Sequence, residues 1–273
     1  AQFNGFYTHN LPFELTGAQK RVMHEIRADM AGGRQMNRLL QGDVGSGKTL
    51  VALMTMLLAI GNGYQACIMA PTEILAEQHL ATLRGFLENM PLRVELLTGS
   101  VKGKRRQEIL SALSSGEVDI LVGTHAIIEE PVEFRRLGLA VVDEQHRFGV
   151  RQRKILASKG QSPNVLVMSA TPIPRTLAMI LYGDMNLSVI RELPSGRRKT
   201  KNAIIRSDKK KSAWQFVARE VLAGRQAYVI CPLIEASDVS EDENVMDYVQ
   251  ALKDFYGDQI TVGLMHGRMK SKD

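Results

Sequence analysis

The segment Gly42-Asp43-Val44-Gly45-Ser46-Gly47-Lys48-Thr49 carries the spacing G-x-x-x-x-G-K-[ST]. Glycines at these positions let the backbone turn its N–H groups inward around phosphate oxygens. The lysine reaches the β- and γ-phosphates, and the following hydroxyl binds Mg²⁺. A glycine-rich turn alone would mean little, but both flanks are of the required kind. The apolar run Arg38 to Gln41 precedes it and a helical pattern begins at Leu50, so the positive N-terminus of a helix faces the same anion. The candidate nucleotide-binding residues are Gly42, Gly45, Ser46, Gly47, Lys48 and Thr49, with ATP and Mg²⁺ as the expected cofactors.

A phosphate loop of this kind needs a second magnesium anchor at the end of a neighbouring strand. The apolar run LGLAVV ends in Asp143-Glu144-Gln145-His146. An Asp closing a buried strand can hold Mg²⁺ through its water shell, and an adjacent Glu can orient and polarise the attacking water. Lys48, Asp143 and Glu144 are therefore candidate catalytic residues, and Thr49 and Asp143 the metal anchors. A third element, Ser169-Ala170-Thr171-Pro172, follows the apolar run VLVM and sets two hydroxyls at a strand's carboxyl end. A helix N-cap before Pro172 is the other reading of those hydroxyls.

These residues need a scaffold, and the chain alternates short apolar runs with amphipathic stretches, the pattern of a parallel sheet covered by helices. The expected fold class is α/β. Strands are expected at Arg38 to Gln41, Gln65 to Ala70, Arg93 to Leu97, Val118 to Gly123, Leu137 to Val142 and Asn164 to Met168. Ala18, Val22, Ile26 and Met30 recur every fourth residue as on a helix. A second series follows: Ala203 to Ile205, helical Trp214 to Ala223, Ala227 to Cys231, helical Val245 to Phe255, and Ile260 to Met265. The Pro/Gly/basic segment RELPSGRRKT joins the series, so a first domain over residues 1–192 and a second over residues 193–273 are expected. The second series is too short for a complete α/β domain of ordinary size.

The 273 residues, 44% hydrophobic and 23% charged, exclude disorder for most of the chain. The longest nearly apolar run, Leu50 to Ile60, falls short of the roughly 20 residues that cross a bilayer and reads as a buried helix. No signal-peptide pattern opens the chain, which points to a cytoplasmic protein without a membrane partner. Cys67 and Cys231 lie in separate apolar runs and are expected as reduced core thiols. The net charge is +6, with eight basic residues between Arg197 and Lys211 and seven acidic ones between Asp238 and Asp258. An anionic partner at one face and solvated loops are both consistent with that asymmetry.

The phosphate loop, DEQH and SAT in this order, with two α/β series, resemble a superfamily 2 helicase. Within that superfamily the resemblance narrows to the bacterial branch-migration helicases. It is carried by LPFELTGAQ (Leu11 to Gln19), LLQGDVGSGKT (Leu39 to Thr49), MAPTEILAEQH (Met69 to His79), LLTGSVKGKRR (Leu96 to Arg106), VGTHAII (Val122 to Ile128), VVDEQHRFGVRQR (Val141 to Arg153), MSATPIPRTLA (Met168 to Ala178), VICPLIEAS (Val229 to Ser237) and LMHGRMK (Leu264 to Lys270). Transcription-repair coupling motors are the alternative. They typically carry DEEQ where this chain has Asp143-Glu144-Gln145-His146, and they lack the TGS-x-x-GK of Thr98 to Lys104.

The resemblance implies a RecA-like motor domain followed by a truncated second RecA-like domain, and an ATP-dependent helicase acting on forks and on three-way and four-way DNA junctions. It implies that Phe13 and Gln19 meet the adenine, although Thr16-x-x-Gln19 is also a helix-capping box. Thr72, Thr98, Gly99, Ser100, Thr124 and His125 match loops that touch the DNA backbone, where hydroxyls and amides read no sequence. His146 joins the candidate catalytic residues and, with Ser169 and Thr171, matches groups that couple nucleotide state to DNA contact. The family's wedge domain and its later motor motifs, with their γ-phosphate arginines, have no counterpart here. The chain is therefore expected to be part of a larger protein, a nucleotide-binding module without turnover when isolated.

Overall fold

A computed structural model describes residues 2–11, 14–143, 155–156, 158–171, 185–192, 201–235 and 243–269. The chain divides into two compact units, Ala1–Arg197 and Arg198–Asp273. The expected boundary lay near residue 193.

The first unit is built on seven parallel strands: β1 (Asn37–Gly42), β2 (Gln65–Met69), β3 (Val94–Leu97), β4 (Ile120–Gly123), β5 (Leu137–Val142), β6 (Asn164–Ser169) and β7 (Asn186–Ile190). Their order in the sheet is β3-β4-β2-β5-β6-β1-β7. Among the described residues they are accompanied by α-helices α1 (Gln2–Gly5), α2 (Gly17–Ala31), α3 (Lys48–Gly61), α4 (Glu73–Leu87) and α5 (Gly103–Ser115). Successive side chains of a strand face opposite sides, so each strand feeds two cores. Leu40, Ile68, Val122, Val141 and Leu166 pack with α2, α3 and α4. Leu39, Cys67, Leu121, Ala140 and Val165 pack with α5. Burial on both faces is the reason the strands read as continuous apolar runs rather than as alternating ones.

Helix α3 is the buried helix expected from Leu50 to Ile60, with Leu50 to Leu57, Ala59 and Ile60 all buried. Each large aliphatic side chain there contributes about 1.5–3 kcal/mol by leaving water. The α2 N-terminus closes with the capping box: the Gln19 amide donates to Thr16 Oγ1 at 3.2 Å, and the Thr16 amide donates to Gln19 Oε1 at 2.9 Å. An unforeseen carboxylate completes that end, since Glu192 Oε2 accepts from the Ala18 amide at 2.9 Å.

Two further features went unforeseen. Strand β7 (NLSVI) buries only Ser188 and Ile190, too little apolar pattern to be visible as a strand. Arg38 on β1, 7% exposed, bonds Asp29 and Glu25 of α2, with Nη2 2.7 Å from Asp29 Oδ2 and Nη1 3.1 Å from Glu25 Oε2. Its Nη1 also donates to Ser188 Oγ at 2.7 Å. One guanidinium thus ties a helix to two strands and neutralises two half-exposed acids.

The second unit holds α6 (Lys210–Leu222) and α7 (Val245–Tyr256). Trp214 joins them, edge-on to Tyr248 and Phe255 at centroid distances of 5.8 and 5.2 Å, with its Nε1 donating to Tyr248 Oη at 3.0 Å. The three strands expected here are absent among the described residues. Among them one parallel bridge forms outside the helices, between Leu233 and Asn244. An apolar run becomes a strand only when a neighbouring backbone satisfies its ladder. Without one, Tyr228, Ile230 and Met265 stand 87%, 92% and 88% exposed. Cys231, expected in a core, is accordingly only partly buried, whereas Cys67 is fully buried; both are free thiols.

Candidate nucleotide site and nucleic-acid interface

The sheet's carboxyl edge sorts the candidate residues by strand. The phosphate loop follows β1, Ser169 ends β6 beside it and Asp143 follows β5, so three adjacent strands carry the nucleotide candidates. The loops after β3, β4 and β2, adjacent at the other side, carry Thr98 to Ser100, Thr124-His125 and Thr72. Strands β5 and β6 are inserted between β1 and β2, the change of strand order at whose carboxyl ends open α/β sheets bind ligands.

Sterics explain the glycines of the loop. Gly47 is the N-cap of α3 at φ 86°, a left-handed conformation that side chains disfavour, and an added Cβ would come within 2.2 Å of Gln19 Nε2. At Gly42 a Cβ would stand 2.5 Å from Ser46 Oγ and 3.2 Å from the Ile190 carbonyl. Ser46 Oγ is buried and has no hydrogen-bond partner among the described residues, inside a loop that otherwise presents backbone. No side chain caps α3 and its first turn holds no acid, so its amides remain for an anion. Lys48 Nζ donates to the carbonyls of Gly42 at 2.6 Å and Asp43 at 3.0 Å, which keeps the ammonium at the loop. Thr49 lies in the first turn of α3, half-buried.

Gln19 has the capping role and a second one. Its Nε2 donates to the Ser46 carbonyl at 2.9 Å, so the side chain that caps α2 also braces the phosphate loop. Phe13, the other expected adenine contact, lies outside the described residues, as do Glu144 and His146.

Asp143 extends β5 by one further bond, its amide donating to the Met69 carbonyl at 2.9 Å. Its Oδ2 stands 2.7 Å from His79 Nε2, and both residues are 9% exposed. Beside β1, Gln41 Nε2 donates to the Thr171 carbonyl at 3.3 Å, and the Ser169 and Thr171 hydroxyls pair at 3.0 Å. The two hydroxyls read from the SAT segment therefore share one hydrogen bond at the end of β6.

The expected DNA-facing loops are adjacent but their side chains differ in availability. Thr72 caps α4, accepting from the Leu75 amide at 3.3 Å. Thr98 and Ser100 pair their hydroxyls at 2.7 Å, and Glu73 Oε1 accepts from the Ser100 amide at 3.1 Å. The Thr124 hydroxyl is buried and unpartnered among the described residues. Gly99, Ser100 and His125 face solvent. His79, Glu73, Gln41 and Glu192 were not foreseen as parts of this edge; each acts through a partner remote in sequence, which spacing cannot reveal.

Known proteins resemble this chain over nearly its whole length. The chain is 53% identical over 267 residues, 98% of its length, to the ATP-dependent DNA helicase RecG of Bacillus subtilis, of which it spans 39%. It is 49% identical over 263 residues to the Synechocystis helicase of that name, covering 96% of this chain and 32% of the relative. A solved RecG bound to a three-way DNA junction is 40% identical and superposes with a TM-score of 0.80, covering 92% of this chain and 33% of that one. No helix among the described residues is long and apolar enough to cross a membrane. Residues 16–180 match the DEAD/DEAH box helicase model, and the chain belongs to that family.

Proposed function

We propose that this chain is the motor portion of a longer bacterial, cytoplasmic protein that uses ATP to translocate on double-stranded DNA and remodel forks and three-way and four-way junctions. In this reading residues 1–192 are the ATP-binding RecA-like domain and residues 193–273 begin a second one. One observation carries it: a phosphate loop and a strand-ending Asp143 share a sheet edge with hydroxyl- and amide-bearing loops in a chain 40% identical to a RecG solved on a three-way junction.

The cradle suits a triphosphate with Mg²⁺. Hard oxygen donors at Thr49 and Asp143 fit that ion, which would neutralise charge between β- and γ-phosphates. Lys48 exchanges its two carbonyl partners for phosphate oxygens, and the amides of the loop and of α3 bind the rest. Glu144 orients and polarises the attacking water. His146, Ser169 and Thr171 pass the nucleotide state on to the DNA loops. Thr72, Thr98, Gly99, Ser100, Thr124 and His125 meet phosphates without reading bases.

The test is the ATPase rate of the full-length protein with a three-way junction, a four-way junction and a linear duplex of equal length. Junction DNA is expected to stimulate turnover above the duplex. Equal rates on all three would contradict the branched-DNA reading.

A further inference from the structure

Helix α4 touches both halves of the sheet edge. At its start, Thr72 is the N-cap and Glu73 holds the Ser100 amide at 3.1 Å, so this end of the helix is fixed to two of the loops proposed to meet DNA. Six residues on, about 9 Å along the axis, His79 Nε2 stands 2.7 Å from Asp143 Oδ2, the carboxylate proposed to anchor magnesium. A helix of this length moves as one body, so displacement of the Ser100 loop by a phosphate is felt at His79.

His79 has a bland explanation available. It belongs to the buried stripe Ala76, His79, Leu83 and Leu87, and a core histidine merely needs a hydrogen-bond partner. The partner, however, is not a nearby carbonyl but the carboxylate that ends β5. A carboxylate only accepts, so Nε2 is the donor and holds Oδ2 of Asp143 in one place.

Resting on the helicase reading above, we propose that His79 is a positioning residue that couples DNA contact to ATP hydrolysis. Through α4 it transmits the state of the Thr72 and Ser100 loops to the rotamer of Asp143. It touches neither nucleotide nor DNA. Glu73 is its counterpart at the DNA end, where a backbone phosphate competes with its carboxylate for the Ser100 amide.

The experiment compares wild type, His79→Leu and His79→Gln in the full-length protein. Leu suits the apolar stripe and keeps the fold but removes the donor. The Gln amide nitrogen reaches the place of the imidazole Nε2 and keeps it. ATPase is read with and without a three-way junction, together with KM for ATP and the thermal midpoint. The expected result is a ratio of stimulated to unstimulated rate at least fivefold lower in His79→Leu, with KM within threefold of wild type. His79→Gln is expected to recover at least half of the lost ratio. A wild-type ratio in His79→Leu, or the same loss in both variants at an unchanged midpoint, overturns the coupling role. Absence of junction stimulation in wild type overturns the helicase reading and this inference with it.

Discussion

Gln19 Nε2 donates to the carbonyl of Ser46 at 2.9 Å while Gln19 Oε1 accepts from the Thr16 amide at 2.9 Å, so one amide side chain joins the cap of α2 to the phosphate loop. Gln19→Ala removes both. The capping loss is about 1 kcal/mol, a fall of roughly 2–4 °C in thermal midpoint for a unit of this size. The freed loop is expected to bind nucleotide about tenfold more weakly, about 1.4 kcal/mol. Calorimetry and a thermal melt read the two effects separately. Unchanged affinity with a lowered midpoint would reduce Gln19 to a cap.

Arg38 holds Asp29, Glu25 and Ser188 together from a position 7% exposed. Arg38→Met keeps the apolar stem and removes the charge, leaving two half-exposed acids side by side. We expect a loss of about 2 kcal/mol, reduced from the fully buried case because both acids can rehydrate. Chemical denaturation measures it, and an unchanged midpoint would mean the network adds nothing.

Burial pushes the Cys67 thiol up to about 12, and Cys231 is also raised, by burial with Glu243 nearby, against Lys210. With a pKa that high, about one Cys67 in 10⁴ is thiolate at pH 8. Native protein should therefore expose at most one reactive thiol to an aromatic disulfide reagent, and unfolding should reveal two. Below pH 9 the thiol keeps its proton both folded and unfolded. Between pH 9 and 12 the unfolded chain loses its proton first, so this group lowers stability as pH rises. Two fast thiols at pH 8 would contradict the buried placement.

Ser100 faces solvent on the loop that Glu73 holds. Ser100→Asp sets a negative charge where a backbone phosphate is expected. DNA affinity of the full-length protein should fall about tenfold, and the slope of log K against log salt should lose about one phosphate's share, roughly 0.9. Fluorescence anisotropy across a salt series reads both. An unchanged slope would move DNA contact elsewhere.

The parts of this structure that were legible from sequence share a physical cause. Strands β1 to β6 are buried on both faces, so each appears as an apolar run, and the glycines before Lys48 are imposed locally by φ and by close approach. Strand β7 was missed because its buried Ser188 answers to Arg38, 150 residues away. Ala227 to Cys231 and Ile260 to Met265 have strand composition, but no ladder forms there among the described residues, and pairing is not a local property. His79 sits at core spacing on α4; only the fold reveals that its partner is Asp143.

Calorimetric titration of this chain with ATP and Mg²⁺ shows whether the loop from Gly42 to Thr49 binds a nucleoside triphosphate. Wild type should bind one equivalent. Lys48→Ala, which removes one charged phosphate contact from a cradle of amides, should lose at least tenfold in affinity with an unchanged thermal midpoint. Wild-type affinity in Lys48→Ala, or no binding by the wild-type chain, would rule out nucleotide binding by this loop.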